Sequence, residues 1–401
     1  MTQSTERILT THVGALQRPT ELTRALVAAR DDAAAASEQL RNAVADVVRT
    51  QAEVGIDIVD DGEYGKSIWQ WYVTERLTGF ERRPFETPLL VGRDRNQFKQ
   101  FYAYADRTPG VLFYGEDQAF WEAIATQPVC VAPIVYRPDA VRRDIANFQA
   151  ALQNVAVVDG FMPAVAPASI EVGVKNEHYG TDEELLQALT EAMRQEYRAI
   201  VDAGIQLQVD DAWIPALWDH EASLDKQAYL AFCQRRVEAL NDALAGLPEE
   251  RVRYHICWGS WHGPHATDIP LAEIVDLMLQ VRAGTYLFES ANARHEHEYH
   301  LWETVALPEG KRIAPGIVTH ATNVTEHPEL VAERIMRFAE RVGRDNVIAS
   351  TDCGMEARIH PELGWAKLRA LADGAALATE RLWGQGAATP RVARQGAASA
   401  G

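Results

Sequence analysis

Residues 312–352 read RIAPGIVTHATNVTEHPELVAERIMRFAERVGRDNVIASTD, and this stretch contains one strand–helix–strand unit. Arg312 to Val318 and Val347 to Asp352 are short runs with β-branched residues, which favour strands. Between them, Pro328 to Val342 carries apolar residues at the three- and four-residue spacing of an amphipathic helix. A helix between two apolar strands is typical of a parallel βαβ unit.

The same alternation extends over the rest of the chain. Eight units over about 350 residues predict an α/β fold of the (β/α)8 TIM barrel type. An open doubly wound sheet shares this local pattern and is the alternative. The six earlier strand-like runs are Ile8 to Gly14, Ile56 to Asp60, Gly160 to Ala166, Ile205 to Asp210, Val252 to Cys257 and Gly284 to Glu289. Further predicted helices are Pro19 to Val54, Asp182 to Ala203 and Gly364 to Leu382.

One long segment interrupts the alternation. Tyr64 to Asp159 is far too long for a simple βα connection, and it is rich in aromatic and charged residues. We expect Cys130 to Tyr136 to form a hairpin strand, and the segment to cover the barrel mouth or to make an oligomer contact. We therefore predict one catalytic barrel over residues 1–384 that includes this 64–159 insertion. An Ala, Gly and Ser-rich tail at 385–401 is expected to be disordered.

Composition and charge exclude several classes of protein. The 401 residues are 47% hydrophobic, which is ample for a large core. A formal net charge of -18 argues against nucleic acid and anionic membranes as partners. No run approaches the ~18 apolar residues of a membrane span. Met1 to Arg7 lacks the apolar core of a signal peptide, and four cysteines are too few for a disulfide framework. We expect a soluble, cytoplasmic protein.

Three segments at predicted strand ends carry side chains that bind metals. His255 and Cys257 alternate along one strand, so both side chains point to the same side. Glu289 ends an otherwise apolar strand, where a carboxylate needs a charged partner, and Cys353 follows the eighth strand. Because the C-terminal ends of barrel strands meet on one rim, we predict that all four residues bind one zinc ion. Two unrelated buried cysteines and a helix-capping glutamate are the alternative.

Other polar residues also lie at predicted strand ends. Glu63 follows the second strand, Asp210 and Asp211 end the fourth, and His320 follows the seventh. Adjacent carboxylates suit an ammonium group, whereas helix capping or a surface salt bridge is the alternative for Asp211. His320 is a candidate proton relay, or else a partly exposed loop histidine. The histidine-rich run from His295 to His300 fits the start of a solvated helix better than a metal site.

A zinc ion at this rim would act as a thiol activator. A free thiol has a pKa of about 8.5 and is mostly protonated at neutral pH. Coordination to zinc deprotonates the thiol, and the thiolate can attack an electrophilic carbon. A catalytic zinc site keeps one position open, where the sulfur of a small-molecule thiol substrate would bind.

In the order of these motifs, the chain resembles the C-terminal barrel of cobalamin-independent methionine synthase. The metal site of that family reads His-x-Cys, then Glu, then a Cys within Asp-Cys-Gly. His255, Cys257, Glu289 and Cys353 match this order. The resemblance extends from Thr10 to about Trp383, which is nearly the whole chain.

The resemblance implies roles for the remaining rim residues. Glu63 and Asp210 match the carboxylates that hold the amino group of homocysteine, and His320 matches a histidine that takes part in proton transfer. The backbone of Val13, Gly14 and Ala15 matches the segment that binds the substrate carboxylate.

The resemblance also implies an activity. A zinc-dependent S-methyltransferase would give methionine from homocysteine, with methyltetrahydrofolate or a methyl-corrinoid as the methyl donor.

The chain departs from the family pattern at several points. It has room for one barrel where the full-length synthase has two. Ala15 stands where the family has a serine, and residues 166–179 lack the tryptophan that the family places against the pterin. The resemblance therefore supports thiol activation by this chain better than it supports the use of a folate as methyl donor.

Two alternatives follow from these departures. One is zinc-dependent alkyl transfer to another thiol, as in the epoxyalkane:coenzyme M transferases. Arg18, Lys66 and Arg294 are available for a sulfonate in that case. The other is a non-catalytic binding protein that zinc stabilises.

Overall fold

The computed structural model describes residues 2–28, 36–67, 69–70, 72–84, 92–108, 110–113, 126–356 and 358–384. Its strands, in chain order, are β1 (Leu9–Thr10), β2 (Ile58–Val59), β3 (Phe80–Pro84), β4 (Thr126–Cys130), β5 (Asp159–Val165), β6 (Lys175–Asn176), β7 (Gln206–Asp210), β8 (Val252–His255), β9 (Thr285–Phe288), β10 (Arg312–Val318) and β11 (Ile348–Thr351).

Eight of these strands form a nearly closed barrel. They lie in the order β1-β11-β10-β9-β8-β7-β5-β2, and every pair is parallel. Between the two end strands, the backbone N–H of Asp57 donates to the carbonyl of Thr10 over 3.1 Å. The predicted TIM barrel is confirmed, and the open doubly wound sheet is wrong. All eight predicted runs contain a barrel strand, although β1 and β2 are shorter than expected.

The helices follow the strands in the manner of a (β/α)8 fold. The predicted helix from Pro19 to Val54 is described in two parts, Thr20–Ala28 and Ser37–Val54, and residues 29–35 between them lie outside the described residues. The α-helices are Thr20–Ala28, Ser37–Val54, Tyr72–Arg76, Arg93–Gln97, Lys99–Ala105, Asp139–Leu152, Pro167–Val172, Asp182–Asp202, Trp213–His220, Lys226–Ala243, Leu271–Gln280, Pro328–Val342 and Pro361–Trp383. Short 3-10 helices are Glu249–Arg251, Glu296–Glu303 and Arg344–Asn346.

Apolar side chains fill both sides of the barrel wall. Along β9, Leu287 belongs to a small cluster whose members come from six different barrel strands or their ends, so this cluster fills the interior. Its neighbours Tyr286 and Phe288 belong to the larger core between strands and helices. Successive residues of a strand point to opposite faces, and along β9 the residues of both faces are buried.

The insertion builds a second, three-stranded sheet. β3 pairs antiparallel with β4, and β4 pairs parallel with β6, which lies beyond β5 in the chain. The predicted hairpin strand from Cys130 to Tyr136 is wrong in its bounds, since β4 ends at Cys130 and Tyr136 makes only an isolated bridge with Leu77. Buried Arg76 ties this region to the barrel helices through Asp144 at 2.5 Å and Glu196 at 2.9 Å.

Part of the insertion reaches the barrel rim. The backbone N–H of His262, in the loop after β8, donates to the carbonyl of Leu112 over 2.8 Å. Trp261 donates from its indole N–H to the hydroxyl of Tyr102 over 3.2 Å. These contacts favour a cover over the barrel mouth.

Three sequence-based expectations concern the tail, the domain bounds and membrane helices. The expected tail at 385–401 lies outside the described residues, and a single domain over 1–384 stays a prediction. In the part of the chain that the structure describes, no helix has the length and apolar character to cross a membrane.

Candidate active site

The rim of the barrel brings two thiols and one imidazole together. His255 is the last residue of β8, Cys257 lies two positions beyond it, and Cys353 follows β11. One ligand atom from each lies within 4.8 Å of the other two, and all three side chains are buried. Soft thiolates with an imidazole are a donor set that suits zinc.

The orientation of His255 also fits a metal. Its Nδ1 lies 2.9 Å from Oδ1 of Asp210, and its Nε2 is buried without a hydrogen-bond partner among the described residues. The amide of Gln208 donates to the same Oδ1 over 2.9 Å and so holds the carboxylate in place. A histidine whose one ring nitrogen is held by a carboxylate, while the other is free, is the usual arrangement of a metal ligand.

The charges in this cluster depend on the contact between the two thiols. A hydrogen bond from Cys257 holds the pKa of the Cys353 thiol well below its usual value. The same hydrogen bond, together with burial, raises the pKa of Cys257. Although burial opposes a charged imidazole, the hydrogen bond with Asp210 and the nearby charge of Cys353 raise the pKa of His255 to about 10. These shifts favour a Cys353 thiolate beside a charged imidazole, and a bound metal ion would take over the role of that cation.

Glu289 lies beside this cluster with partners of its own. Its Oε1 accepts from the backbone N–H of Trp258 over 2.8 Å, and its Oε2 accepts from the amide of Asn292 over 2.7 Å. Its carboxylate groups most closely with His320 and Asp352, within 4.8 Å. Burial raises the pKa of Glu289 to about 8. His255, Cys257 and Cys353 form a group that does not include Glu289. The role of Glu289 as a zinc ligand therefore stays a prediction.

His320 is a buried histidine without a partner at Nδ1 among the described residues. The alternative of a partly exposed loop histidine is therefore wrong. Burial lowers the pKa of His320 to about 4, which favours the neutral ring at pH 7. Beside it, Asp352 accepts from the backbone N–H groups of Ser290 and Ala291 over 2.7 and 2.8 Å, which fixes the loop that follows Glu289.

Glu63 occupies a strained turn after β2. Its φ is 61°, a left-handed conformation that is rare for a residue other than glycine. Its Oε1 accepts from the backbone N–H of Ala15 over 2.8 Å, and its Oε2 accepts from the ammonium of Lys66 over 3.0 Å. A Cβ at Gly14 would lie 2.5 Å from Oε1 of Glu63, so this approach requires glycine. Strain of this kind often marks a functional site.

The backbone N–H groups of the Val13 to Ala15 segment have partners within the protein. Val13 donates to the hydroxyl of Thr351 over 3.2 Å, and Gly14 donates to Nδ1 of His12 over 3.2 Å. Ala15 donates to Glu63, as described above. The predicted binding of a substrate carboxylate by this segment therefore requires one of these bonds to be exchanged.

Asp211 belongs to the packing behind the site. Its carboxylate accepts from the hydroxyls of Ser169 over 2.8 Å and of Tyr254 over 2.9 Å. The residue is fully buried, so a surface salt bridge is wrong for it. The two adjacent aspartates point to different partners, and only Asp210 contacts the metal-binding cluster.

The histidine-rich run does form a helical turn, as the sequence predicts, but its first member is buried. His295 hydrogen-bonds to Glu298 over 2.8 Å and to Asp268 over 3.2 Å. Its ring lies 4.1 Å from that of Trp258, centroid to centroid. His295 thus holds the loops after β8 and β9 together, and the expectation of a solvated helix is wrong for it.

Sequence reasoning gave Lys66 only as an available contact for a sulfonate, and it did not assign Trp69 to the site. Lys66 follows Glu63 by three positions, and this i,i+3 spacing of opposite charges was the available signal. Trp69 packs against a cluster of Ala212, Cys257 and Cys353. No local pattern identifies Trp69, because its contacts with the thiols span long sequence separations.

Comparisons with known proteins agree on one family. The family model described as "Cobalamin-independent synthase, Catalytic domain" matches residues 105–376. A 2-hydroxypropyl-CoM lyase of Xanthobacter autotrophicus is 23% identical over 84% of this chain and 84% of its own length. A methionine synthase of Thermococcus kodakarensis is 23% identical over 80% of this chain and 77% of its own length.

A solved structure supports the fold. It is a B12-independent methionine synthase from Shewanella sp. W3-18-1 in complex with selenomethionine, with a TM-score of 0.70. The alignment covers 94% of this chain and 99% of that chain at 18% identity. At this sequence identity the structural similarity shows a shared fold and nothing more.

Proposed function

The chain belongs to the family of the cobalamin-independent synthase catalytic domain, and from this premise we propose a zinc-dependent transfer of a methyl group to the thiol of homocysteine. Its activity is a methyltransferase activity of the methionine synthase type. The observation that carries the proposal is the cluster of His255, Cys257 and Cys353, with Asp210 behind the imidazole.

His255, Cys257 and Cys353 would hold the metal ion, with Glu289 beside it as the predicted fourth ligand. When bound, zinc lowers the pKa of a thiol that coordinates it, so that the sulfur can attack a carbon. His320 would relay to the solvent the proton that the substrate thiol releases. Asp210 is a proposed contact for the amino group of homocysteine, and Glu63 is a second one only where its ion pair with Lys66 opens.

The methyl donor is proposed to be methyltetrahydrofolate or a methyl-corrinoid. Trp69 supports a planar donor, because it packs against the cluster of Ala212, Cys257 and Cys353 and is only partly buried. An aromatic side chain beside this cluster could stack on a flat heterocycle. This tryptophan comes from the insertion and not from residues 166–179, where the family places its own.

Alkyl transfer to another thiol, such as coenzyme M, is the second candidate. The observation that favours it is the ion pair between Lys66 and Glu63. This ion pair engages the Glu63 carboxylate, which would otherwise bind the amino group of homocysteine. Arg18 is already engaged, since its guanidinium donates to the carbonyl of Lys66 over 2.6 Å. Arg294 is exposed at the rim and donates to the carbonyl of Ala266 over 3.3 Å.

Zinc content and a calorimetric titration test the proposal. Cys257→Ser and Cys353→Ser are each expected to lose bound zinc, whereas Cys233→Ser is the matched control, because Cys233 is also buried but lies outside the site. Zinc-loaded protein is then titrated with homocysteine and with coenzyme M in buffers of different ionisation enthalpy. Zinc-dependent homocysteine binding that releases about one proton supports the proposal.

Two results would contradict this assignment. Full zinc content in both cysteine variants would mean that the cluster is not the metal site. Binding of coenzyme M without any response to homocysteine would replace methionine synthesis by the second candidate.

A further inference from the structure

The ammonium of Lys66 is part of the rim beside the candidate metal site. It donates to Oε2 of Glu63 over 3.0 Å and to the carbonyl of Pro163 over 2.6 Å. Both charged side chains are buried, with 4% of the lysine and 7% of the glutamate side chain exposed. Together with the N–H of Ala15, Lys66 gives each carboxylate oxygen of Glu63 one donor within the protein.

This pairing changes what Glu63 can bind. A buried carboxylate attracts a cation strongly because little water screens the charge. Once a buried lysine has neutralised that carboxylate, a second ammonium gains little attraction and meets the repulsion of the first. The geometry at Glu63 is thus that of an occupied ammonium site, with the protein's own side chain as its occupant.

Each of the nearby carboxylates also has at least one partner within the protein. Asp60 and Asp61 accept from the backbone N–H groups of Gly62 and Glu63 over 2.9 and 3.0 Å. Oδ1 of Asp210 accepts from Gln208 and contacts His255, as described above.

We propose that Lys66 determines the acceptor specificity, because it occupies the position at Glu63 that the amine of an amino-acid thiol would take. The site then selects its acceptor through the sulfur atom, and a thiol without an α-amino group is accepted as well as homocysteine. This inference rests on the proposed zinc-dependent thiol chemistry and names the substrate class of that site.

The test compares two thiols that differ by the amine alone. Zinc-loaded enzyme is titrated calorimetrically with L-homocysteine and with 4-mercaptobutyrate, which has the same carbon chain without the amino group. We expect the two Kd values to agree within about threefold in the wild-type protein. In Lys66→Met, the unpaired Glu63 should favour homocysteine by about tenfold or more over 4-mercaptobutyrate.

Two further variants separate specificity from stability. Lys367→Met is the matched control, since Lys367 is also buried and pairs with a glutamate, Glu326, at 2.9 Å. We expect it to keep the wild-type ratio of the two Kd values. The double variant Lys66→Met with Glu63→Gln removes both charges, and its ratio should return to the wild-type value. Thermal unfolding verifies that each variant is folded.

The outcomes distinguish the inference from the proposed function. If the wild-type protein binds both thiols in a zinc-dependent manner but prefers homocysteine more than about tenfold, the inference is wrong and the proposed function stands. An unchanged ratio in folded Lys66→Met also overturns the inference. If neither thiol binds to the zinc-loaded wild-type protein, both are wrong. The wild-type ratio decides the question even if Lys66→Met does not fold.

Discussion

Asp210 and His255 lie directly opposite each other on neighbouring parallel strands, and their side chains meet at 2.9 Å between Oδ1 and Nδ1. The register of β7 and β8 therefore orients the imidazole before any metal binds. Its Nε2 is left without a protein partner among the described residues. The barrel wall thus supplies both the first ligand of the candidate metal site and the group that orients it.

Asp210→Asn should weaken zinc binding by about 10- to 100-fold, because an amide orients and polarises the imidazole less well than a carboxylate. Competition with a chelator of known affinity measures this change. Asp211→Asn is the matched control, since Asp211 is adjacent but bonds to Ser169 and Tyr254 instead. Equal zinc affinities for the wild-type and Asp210→Asn proteins would contradict the proposed role.

His320→Gln should lower the rate of methyl transfer by about 100-fold, because the glutamine side chain cannot accept a proton. Zinc content should stay at the wild-type level, since the three clustered ligands are untouched. Turnover with methyltetrahydrofolate or methylcobalamin, together with metal analysis, checks both expectations. A loss of zinc along with activity would indicate that His320 is a metal ligand instead.

Gly14→Ala should destabilise the protein by about 3 kcal/mol and displace Glu63, because it combines backbone strain with a steric clash. The φ of Gly14 is 129°, and the added Cβ would meet Oε1 of Glu63 at 2.5 Å. Gly204→Ala is the control for strain alone, because its φ is 80° with no atom within 4 Å. It should cost about 1 kcal/mol in urea unfolding. Equal losses for both variants would show that the contact with Glu63 does not matter.

Acid should destabilise the protein through His12. Burial lowers the pKa of His12 from 6.5 to about 4. As the pH falls from 6.5 to about 4, the unfolded chain therefore binds a proton at His12 that the folded chain does not, and stability is lost. The loss is about 3 kcal/mol at most.

Urea unfolding at several pH values compares the wild-type protein with His12→Gln. The variant should lose less stability over the same pH range, whatever its stability at pH 7. Parallel curves for the two proteins would contradict the assignment.

Removal of zinc by a chelator should leave the barrel folded, because the apolar core includes residues from most of the strands and helices of the barrel. Circular dichroism is expected to keep its helical signal, with a cooperative thermal transition only a few degrees lower. The chelator should not change the thermal transition of the Cys353→Ser protein, because that variant is expected to hold no zinc. Unfolding on chelation would instead support the non-catalytic, zinc-stabilised binding protein.

Much of the barrel could be predicted from the sequence, because strand and helix patterns repeat locally. The strand Arg312–Val318 and the helix Pro328–Val342 have the same bounds in the prediction and in the structure. The insertion could not be predicted in the same way. β3 and β6 lie on either side of β5 in the chain and meet only through β4, so no short-range pattern reveals that sheet.

In the candidate site, too, local patterns could be predicted and long-range contacts could not. The spacing of His255 and Cys257 on one strand end, and the recurrence of ligand types at other strand ends, identified the cluster of three ligands. The sequence could not tell that Glu289 would bond to Trp258 and Asn292. Nor could it tell that Asp210 rather than Asp211 faces the imidazole.

The sequence by itself determined the barrel, the rim that carries the chemistry and the residue types available there, because periodicity and strand-end position are local properties. The tertiary structure decided which of those residues are still free to act. Lys66 and Ala15 occupy Glu63, and Asp210 holds His255 with one ring nitrogen open. The physical reason is that buried polar groups compete for partners in three dimensions, and the outcome depends on distances that no spacing along the chain records.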